Sequence, residues 1–135
     1  MFVAELGFPK DSRLQTSADY KAVFENAGYK VSCRYFLMLA KNNNMARGRL
    51  GMVIAKKNVA KAVHRNRIKR LIRYSFRHAA QQLSGLDIIV LARRDADSLS
   101  NTKVMHKLNS LWADLQSKAA RQLAAVNQQG RSFND

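Results

Sequence analysis

Between Lys56 and Arg77 the sequence KKNVAKAVHRNRIKRLIRYSFR carries nine Lys or Arg residues and no Asp or Glu. The gap in negative charge is wider than this segment, since no carboxylate occurs between Glu25 and Asp87. On a helix turning about 100° per residue, Lys69, Arg73, Asn66, Arg77 and Arg70 share one arc, opposite Ile68, Leu71, Ile72 and Phe76. Side chains three and four residues apart sit within about 6 Å at Cβ, so these cations repel one another unless anions lie along the arc. An ordinary solvated helix face mixes Glu with Lys; a face of one sign argues instead for phosphates. Arginine suits that partner, because its planar fork binds phosphate bidentately, stacks on bases and stays charged. Arg65 falls near the edge of the apolar stripe and is expected to act from the helix entrance. Asn66 is a poor helix former whose amide can close the preceding loop or reach a sugar edge.

The other residues with chemical potential form no constellation. His64, His78 and His106 show neither zinc nor nuclease spacing, and a magnesium nuclease would need clustered carboxylates that the long middle lacks. All three histidines are expected at the surface or an interface. Cys33 is the single cysteine, which excludes an internal disulfide and leaves a small buried hydrophobe as the simplest role. Neither a catalytic residue nor a metal site is expected in the chain itself.

The whole composition agrees with a polyanionic partner. Among 135 residues, 24 Lys plus Arg against 9 Asp plus Glu leave a net charge of +15, which destabilises a compact chain by self-repulsion. A nucleic acid is the favoured partner. No apolar run approaches the roughly 20 residues that span a bilayer, and the first 30 residues lack a signal-peptide pattern. A cytoplasmic protein without membrane contact is therefore expected. With 47% apolar residues, the length suits one domain, expected over 1–125, followed by a polar and disordered tail over 126–135.

The elements that position the basic segment can be read from periodicity. Thr16 or Ser17 is a candidate cap for a short helix ending near Asn26, with Gly28 as its stop. Arg34 to Ala40 and Arg49 to Ala55 are short apolar runs flanking Asn42, Asn43 and Asn44, which predicts a hairpin. From Val59 to Gln82 the apolar residues recur at helical steps, and Gly85 follows. Asp87 to Ala92 (DIIVLA) reads as a buried central strand. A last helix starts near Ser100 or Asn101, with Val104, Leu108, Leu111, Trp112 and Leu115 facing the core. The result is one α+β sandwich, a sheet with helices packed on it. Phe76 and Trp112 lie in apolar stripes and are expected in the core. Tyr20 and Phe24, one turn apart, share a face that suits either the core or base stacking.

The Lys56 to Arg77 segment, with paired lysines leading through a small-residue loop into Arg65-Asn66-Arg67, closely resembles the signature of the bacterial ribonuclease P protein family. FPKDSRLQTSADYKAVF, RLGMVIAKK and DIIVLARR extend the resemblance over Phe8 to Leu115. It implies an αβββαβα order with a left-handed βαβ crossover. It also implies a protein subunit of the endonuclease that removes the 5′ leader of precursor tRNA. The catalyst would be the RNA subunit, with magnesium held by RNA and substrate, and no obligate protein partner is implied. Carried over by position, Arg65, Asn66, Arg67, Lys69, Arg70 and Arg73 would face the catalytic RNA. Tyr20, Phe24, Phe36, Lys56, Lys57, Arg93 and Arg94 would line a cleft for the leader. The chain departs from the family pattern at Asn58, Val59 and Ala60, where many members have a glycine, and at Leu39, where some have a tyrosine. The alternative is a structural RNA-binding protein of the small ribosomal type. A helical DNA-binding domain is disfavoured because the basic helix is embedded among strands.

Overall fold

The computed structural model describes the backbone of residues 12–134 and the side chains of residues 12–125. Residues 8–11, which open the FPKDSRLQ segment, lie outside the described residues. The order is α1 (Ser17–Asn26), β1 (Tyr29–Ser32), β2 (Phe36–Asn42), β3 (Arg49–Val53), α2 (Ala62–Ala79), β4 (Leu86–Ala92), a short 3-10 turn (Ala96–Ser98) and α3 (Asn101–Asn134). This is the αβββαβα order. The polar end is part of α3, whose backbone stays helical to Asn134. Among the described residues no helix is long and apolar enough to cross a membrane.

The four strands lie in the order β1-β2-β4-β3. The expected hairpin between β2 and β3 is therefore not formed. β4 lies between them, antiparallel to β2 and parallel to β3. A strand paired on both edges and covered on both faces is the best place for the continuous apolar run of Leu86–Ala92. The asparagine cluster turns the chain, with Asn44 in the left-handed region and Met45 N–H donating to Asn43 Oδ1 at 2.8 Å, and it also ties the sheet's end: Asn43 donates from its backbone N–H to the Gly85 carbonyl at 2.9 Å and from its amide to Asp87 Oδ1 at 2.9 Å. The antiparallel hairpin lies one element earlier, where β1 pairs with β2 and Cys33 N–H closes the turn on the Phe36 carbonyl at 2.9 Å. Cys33 itself is half-buried against the core rather than enclosed in it.

Alternation along the strands sorts the sheet into two faces. Phe36, Met38, Ala40, Leu50, Ile88 and Val90 join Ile68, Ile72 and Phe76 of α2 and Val104, Leu108, Leu111, Trp112 and Leu115 of α3 in one core. Each large apolar side chain fully buried there contributes about 1.5–3 kcal/mol. Ser75 falls in the apolar stripe of α2 without penalty, since it accepts from the Trp112 indole N–H and donates to Asn109 Oδ1 at 3.2 Å. Among the described residues the opposite face is covered by α1 and the segment just before it, through Leu14, Tyr20 and Val23 against Leu39, Val53, Ile89 and Leu91. Leu37, Leu39 and Leu91 on this face are half-buried.

Two devices fix α1 on that face. Thr16 Oγ1 accepts from Asp19 N–H at 3.0 Å, while Asp19 Oδ2 accepts from the N–H groups of Gln15 and Thr16 at 3.0 and 3.2 Å. This reciprocal capping box satisfies donors that the first helical turn would leave bare. Those backbone bonds, with Arg49 nearby, hold the Asp19 carboxyl below its usual pKa. Arg49 then joins α1 to the sheet: it lies 3.8 Å from Asp19 and grips Asp87 bidentately at 2.9 and 2.7 Å. Asp87 is 1% exposed, and a buried carboxylate of this kind needs such a partner.

Candidate nucleic-acid interface

The parallel pairing of β3 and β4 decides which cations meet. Parallel neighbours end at the same edge of a sheet, so Lys56 and Lys57 after β3 and Arg93 and Arg94 after β4 emerge side by side. All four are exposed. Asn58 secures the two loops to each other by donating from Nδ2 to the Ala92 carbonyl at 3.0 Å. Val59 is fully buried beneath them. The loop without the family's glycine is thus an ordered turn, closed by Asn58 and Val59 N–H on the Ala55 carbonyl, each at 3.0 Å.

The α2 helix starts at the same edge. Its N-cap residue Lys61 makes no side-chain capping bond and its first turn holds no acid, so the positive end of the helix dipole adds to the lysine and arginine charge. Arg65 works backwards from this entrance, donating from Nη1 to the carbonyls of Val59 and Ala60 at 3.0 and 2.7 Å. Asn66 and Arg70 are exposed, and Lys69 and Arg73 are half-buried at the flank. Among the described residues, Lys69, Arg70 and Arg73 have no carboxylate partner.

Arg67 is tied into the fold. It is half-buried, and its guanidinium donates from Nε to Asn101 Oδ1 at 2.6 Å, from Nη1 to the Asp97 carbonyl at 3.4 Å and from Nη2 to the Leu99 carbonyl. Beside it, His64 Nδ1 lies 2.8 Å from Asp97 Oδ2. Arg67 and His64 together clasp the start of α2 to the 3-10 turn and the start of α3.

The aromatic candidates separate by sheet face and exposure. Phe24 is 46% exposed on α1. Tyr20, one turn before it, is half-buried, and its phenolic oxygen accepts from Met52 N–H at 3.2 Å. β3 is an edge strand, so that N–H has no strand partner on its outer side, and Tyr20 covers it. The ring lies so close to Gly51 that a Cβ there would stand 2.8 Å from it. Phe36 is a correction: it is fully buried on the face covered by α2 and α3. The pleat turns its neighbours Leu37 and Leu39 toward the α1 face instead, so Phe36 cannot line a cleft there.

One cation of the same edge escaped the sequence reading. Arg34 sits exposed in the β1–β2 turn, with its guanidinium 5.4 Å from the Tyr35 ring centroid. Arg93 draws that turn in, through its N–H to the Tyr35 carbonyl at 2.8 Å and its Nη1 to the Cys33 carbonyl at 3.1 Å. The edge thus gathers basic residues from three separated parts of the sequence. Among the described residues no group of three or more His, Cys, Asp or Glu could hold a metal ion.

The family model for ribonuclease P matches residues 8–116. The ribonuclease P protein component of Chromohalobacter salexigens is 43% identical over 123 residues, covering 91% of this chain and 96% of the relative. That of Pseudomonas aeruginosa is 45% identical over 108 residues, covering 80% of each. Among solved structures, the RNase P protein from Staphylococcus aureus aligns with a TM-score of 0.69 at 31% identity, over 74% of this chain and 91% of that one. The RNase P protein from Thermotoga maritima aligns with a TM-score of 0.65 at 31% identity, over 75% of this chain and 96% of that one.

Proposed function

The chain belongs to the ribonuclease P protein family, and from that premise we propose how its surface is divided between two RNAs. Asn66, Lys69, Arg70 and Arg73 face phosphates and sugars of the catalytic RNA, with Arg65 and Arg67 fixing the helix that presents them. Lys56, Lys57, Arg93 and Arg94, joined by Arg34, hold the backbone of the 5′ leader of precursor tRNA where it passes the shared end of β3 and β4. Phe24 and the edge of Tyr20 give that single strand an aromatic wall, which suits bases of any sequence.

The observation that carries this reading is the meeting of two cation sets at one edge. The exposed arc of α2 begins where the β3 and β4 loops end, so a protein seated on one RNA by α2 presents its remaining cations to a strand lying alongside. Phosphate neutralisation lowers the repulsion between catalytic RNA and substrate, which raises substrate affinity without any protein group touching the scissile bond. Magnesium, assigned to the RNA subunit and the substrate, supplies the activated water and the charge stabilisation of phosphodiester hydrolysis. The protein's own part is to bind, to orient and to reduce the amount of free magnesium needed. We place this work in the cytoplasm, where precursor tRNA is made.

A comparison of precursor tRNA affinity with and without the leader, each measured with RNA subunit and protein together, tests the division. The protein should strengthen binding of the leader-bearing substrate more than that of the leaderless one. Equal strengthening would remove the leader surface from this reading.

A further inference from the structure

The outermost stripe of α2 holds a feature that charge does not explain. Residues 63, 66, 70, 74 and 77 recur at steps of three and four, and all five are exposed. Asn66, Arg70 and Arg77 are the polar members. The other two are apolar or aromatic, with Val63 68% and Tyr74 49% exposed. Tyr74 adds nothing to the core from this position, since the buried side of the helix is filled by Ile68, Ile72, Ser75 and Phe76.

The Tyr74 ring is held in place by its neighbours. The Arg77 guanidinium lies 5.8 Å from the ring centroid, and the His78 imidazole meets the ring edge-on at 4.5 Å with an interplanar angle of 66°. Arg70 lies one helical turn before it. A π-face held among cations, on a helix that binds RNA, is the arrangement that recognises an unstacked base between two phosphates. A continuous RNA duplex cannot use it, because its base faces are covered by stacking and its readable edges lie in a shallow groove.

We infer that Tyr74 is a stacking platform for an unpaired nucleobase of the RNA that α2 binds, with Arg70 and Arg77 on the flanking phosphates. This rests on the proposal that α2 faces the catalytic RNA. It adds a preference for a bulged or looped nucleotide to what would otherwise be charge attraction alone. The phenol hydroxyl is not needed for it, so the ring and not the oxygen carries the contact.

The test uses the full-length protein, the RNA subunit transcript and a fully paired RNA duplex as two probes, with affinities measured across a salt series. Tyr74→Phe should bind both probes as the unmodified protein does. Tyr74→Leu keeps the bulk and the helix propensity but removes the π-face; it should bind the RNA subunit roughly 5- to 150-fold more weakly, the range given by loss of one stacked base. Its salt dependence and its affinity for the duplex should not change. Leucine binding the RNA subunit as well as tyrosine, or Phe and Leu losing affinity alike, would overturn the inference. An equal loss on the duplex would overturn it too. Arg70→Ala reports separately on the underlying proposal: unchanged binding and an unchanged salt slope there would show that α2 does not face the RNA, whatever Tyr74 does.

Discussion

Asn58 and Ala92 meet across two loops, the Asn58 amide nitrogen donating to the Ala92 carbonyl oxygen at 3.0 Å. The bond holds Lys56 and Lys57 at a fixed distance from Arg93 and Arg94, so the proposed leader surface depends on it. Asn58→Ala should lower stability by about 1 kcal/mol, the usual net contribution of one hydrogen bond, as read by denaturant unfolding. It should also weaken precursor tRNA more than mature tRNA in binding to the holoenzyme. Equal weakening would separate Asn58 from the leader surface.

Arg67 and Arg70 lie one turn apart on the same helix but should respond differently to substitution. Arg70→Ala removes an exposed cation and should lower the slope of log affinity against log salt for the RNA subunit by about 0.7 to 0.9, with thermal stability unchanged. Arg67→Ala removes three bonds, to the 3-10 turn at Asp97, to Leu99 and to Asn101 at the start of α3. It should lower the melting temperature while leaving the salt slope as it was. A reduced slope in Arg67→Ala would show direct phosphate contact.

Phe24 and Phe36 make a second contrasting pair. Phe36→Ala opens a cavity in the main core and should cost about 3–5 kcal/mol in urea unfolding. Phe24→Ala, at a half-exposed site, should cost less than about 1 kcal/mol and reduce only the affinity that depends on the leader. Loss of leader-independent affinity in Phe24→Ala would place the ring outside the leader path.

The capping carboxylate of Asp19 gives a pH dependence of known sign. Its pKa in the folded protein lies below the ordinary 3.8, chiefly because the Gln15 and Thr16 N–H groups donate to it, with Arg49 adding to the effect. The stability it contributes is therefore present above 3.8 and lost as the pH falls through the lower folded value. Compared with Asp19→Asn, the unmodified protein should be more stable by a constant amount near neutral pH, within about 1 kcal/mol at this solvent-screened site. The gap should close below about pH 4. A gap that persists at pH 2, measured by guanidinium unfolding, would assign the difference to something other than ionisation.

How far the sequence disclosed this molecule depended on whether a feature was local. The apolar stripe of α2 follows from spacing within one element, and Ile68, Ile72 and Phe76 are buried as their periodicity requires. The capping box at Thr16 and Asp19 is local in the same sense. Strand pairing is not local. The asparagines at 42–44 carry turn chemistry, but nothing within reach of them reveals that β4, more than 40 residues away, takes the place between β2 and β3. Phe36 was ambiguous because both faces of β2 are apolar, so alternation could not say which side met α1. Arg65 and Arg67 show the limit of reading charge: their bonds to the carbonyls of Val59, Ala60 and Leu99 depend on where those groups lie in space, which charge and spacing do not reveal. Arg34 had no helical pattern to mark it and joins the site through the β1–β2 turn. The family resemblance supplied what periodicity could not, the identity of the RNA and of its substrate.

This chain assists a catalytic RNA and is not itself the catalyst. Cleavage of precursor tRNA by the RNA subunit, followed at low magnesium with and without the protein, tests this division most directly. The protein should raise the cleavage rate at low magnesium, the gain should shrink as magnesium is increased, and the protein without the RNA should cleave nothing. An unchanged rate on adding the protein, or cleavage by the protein alone, would contradict it.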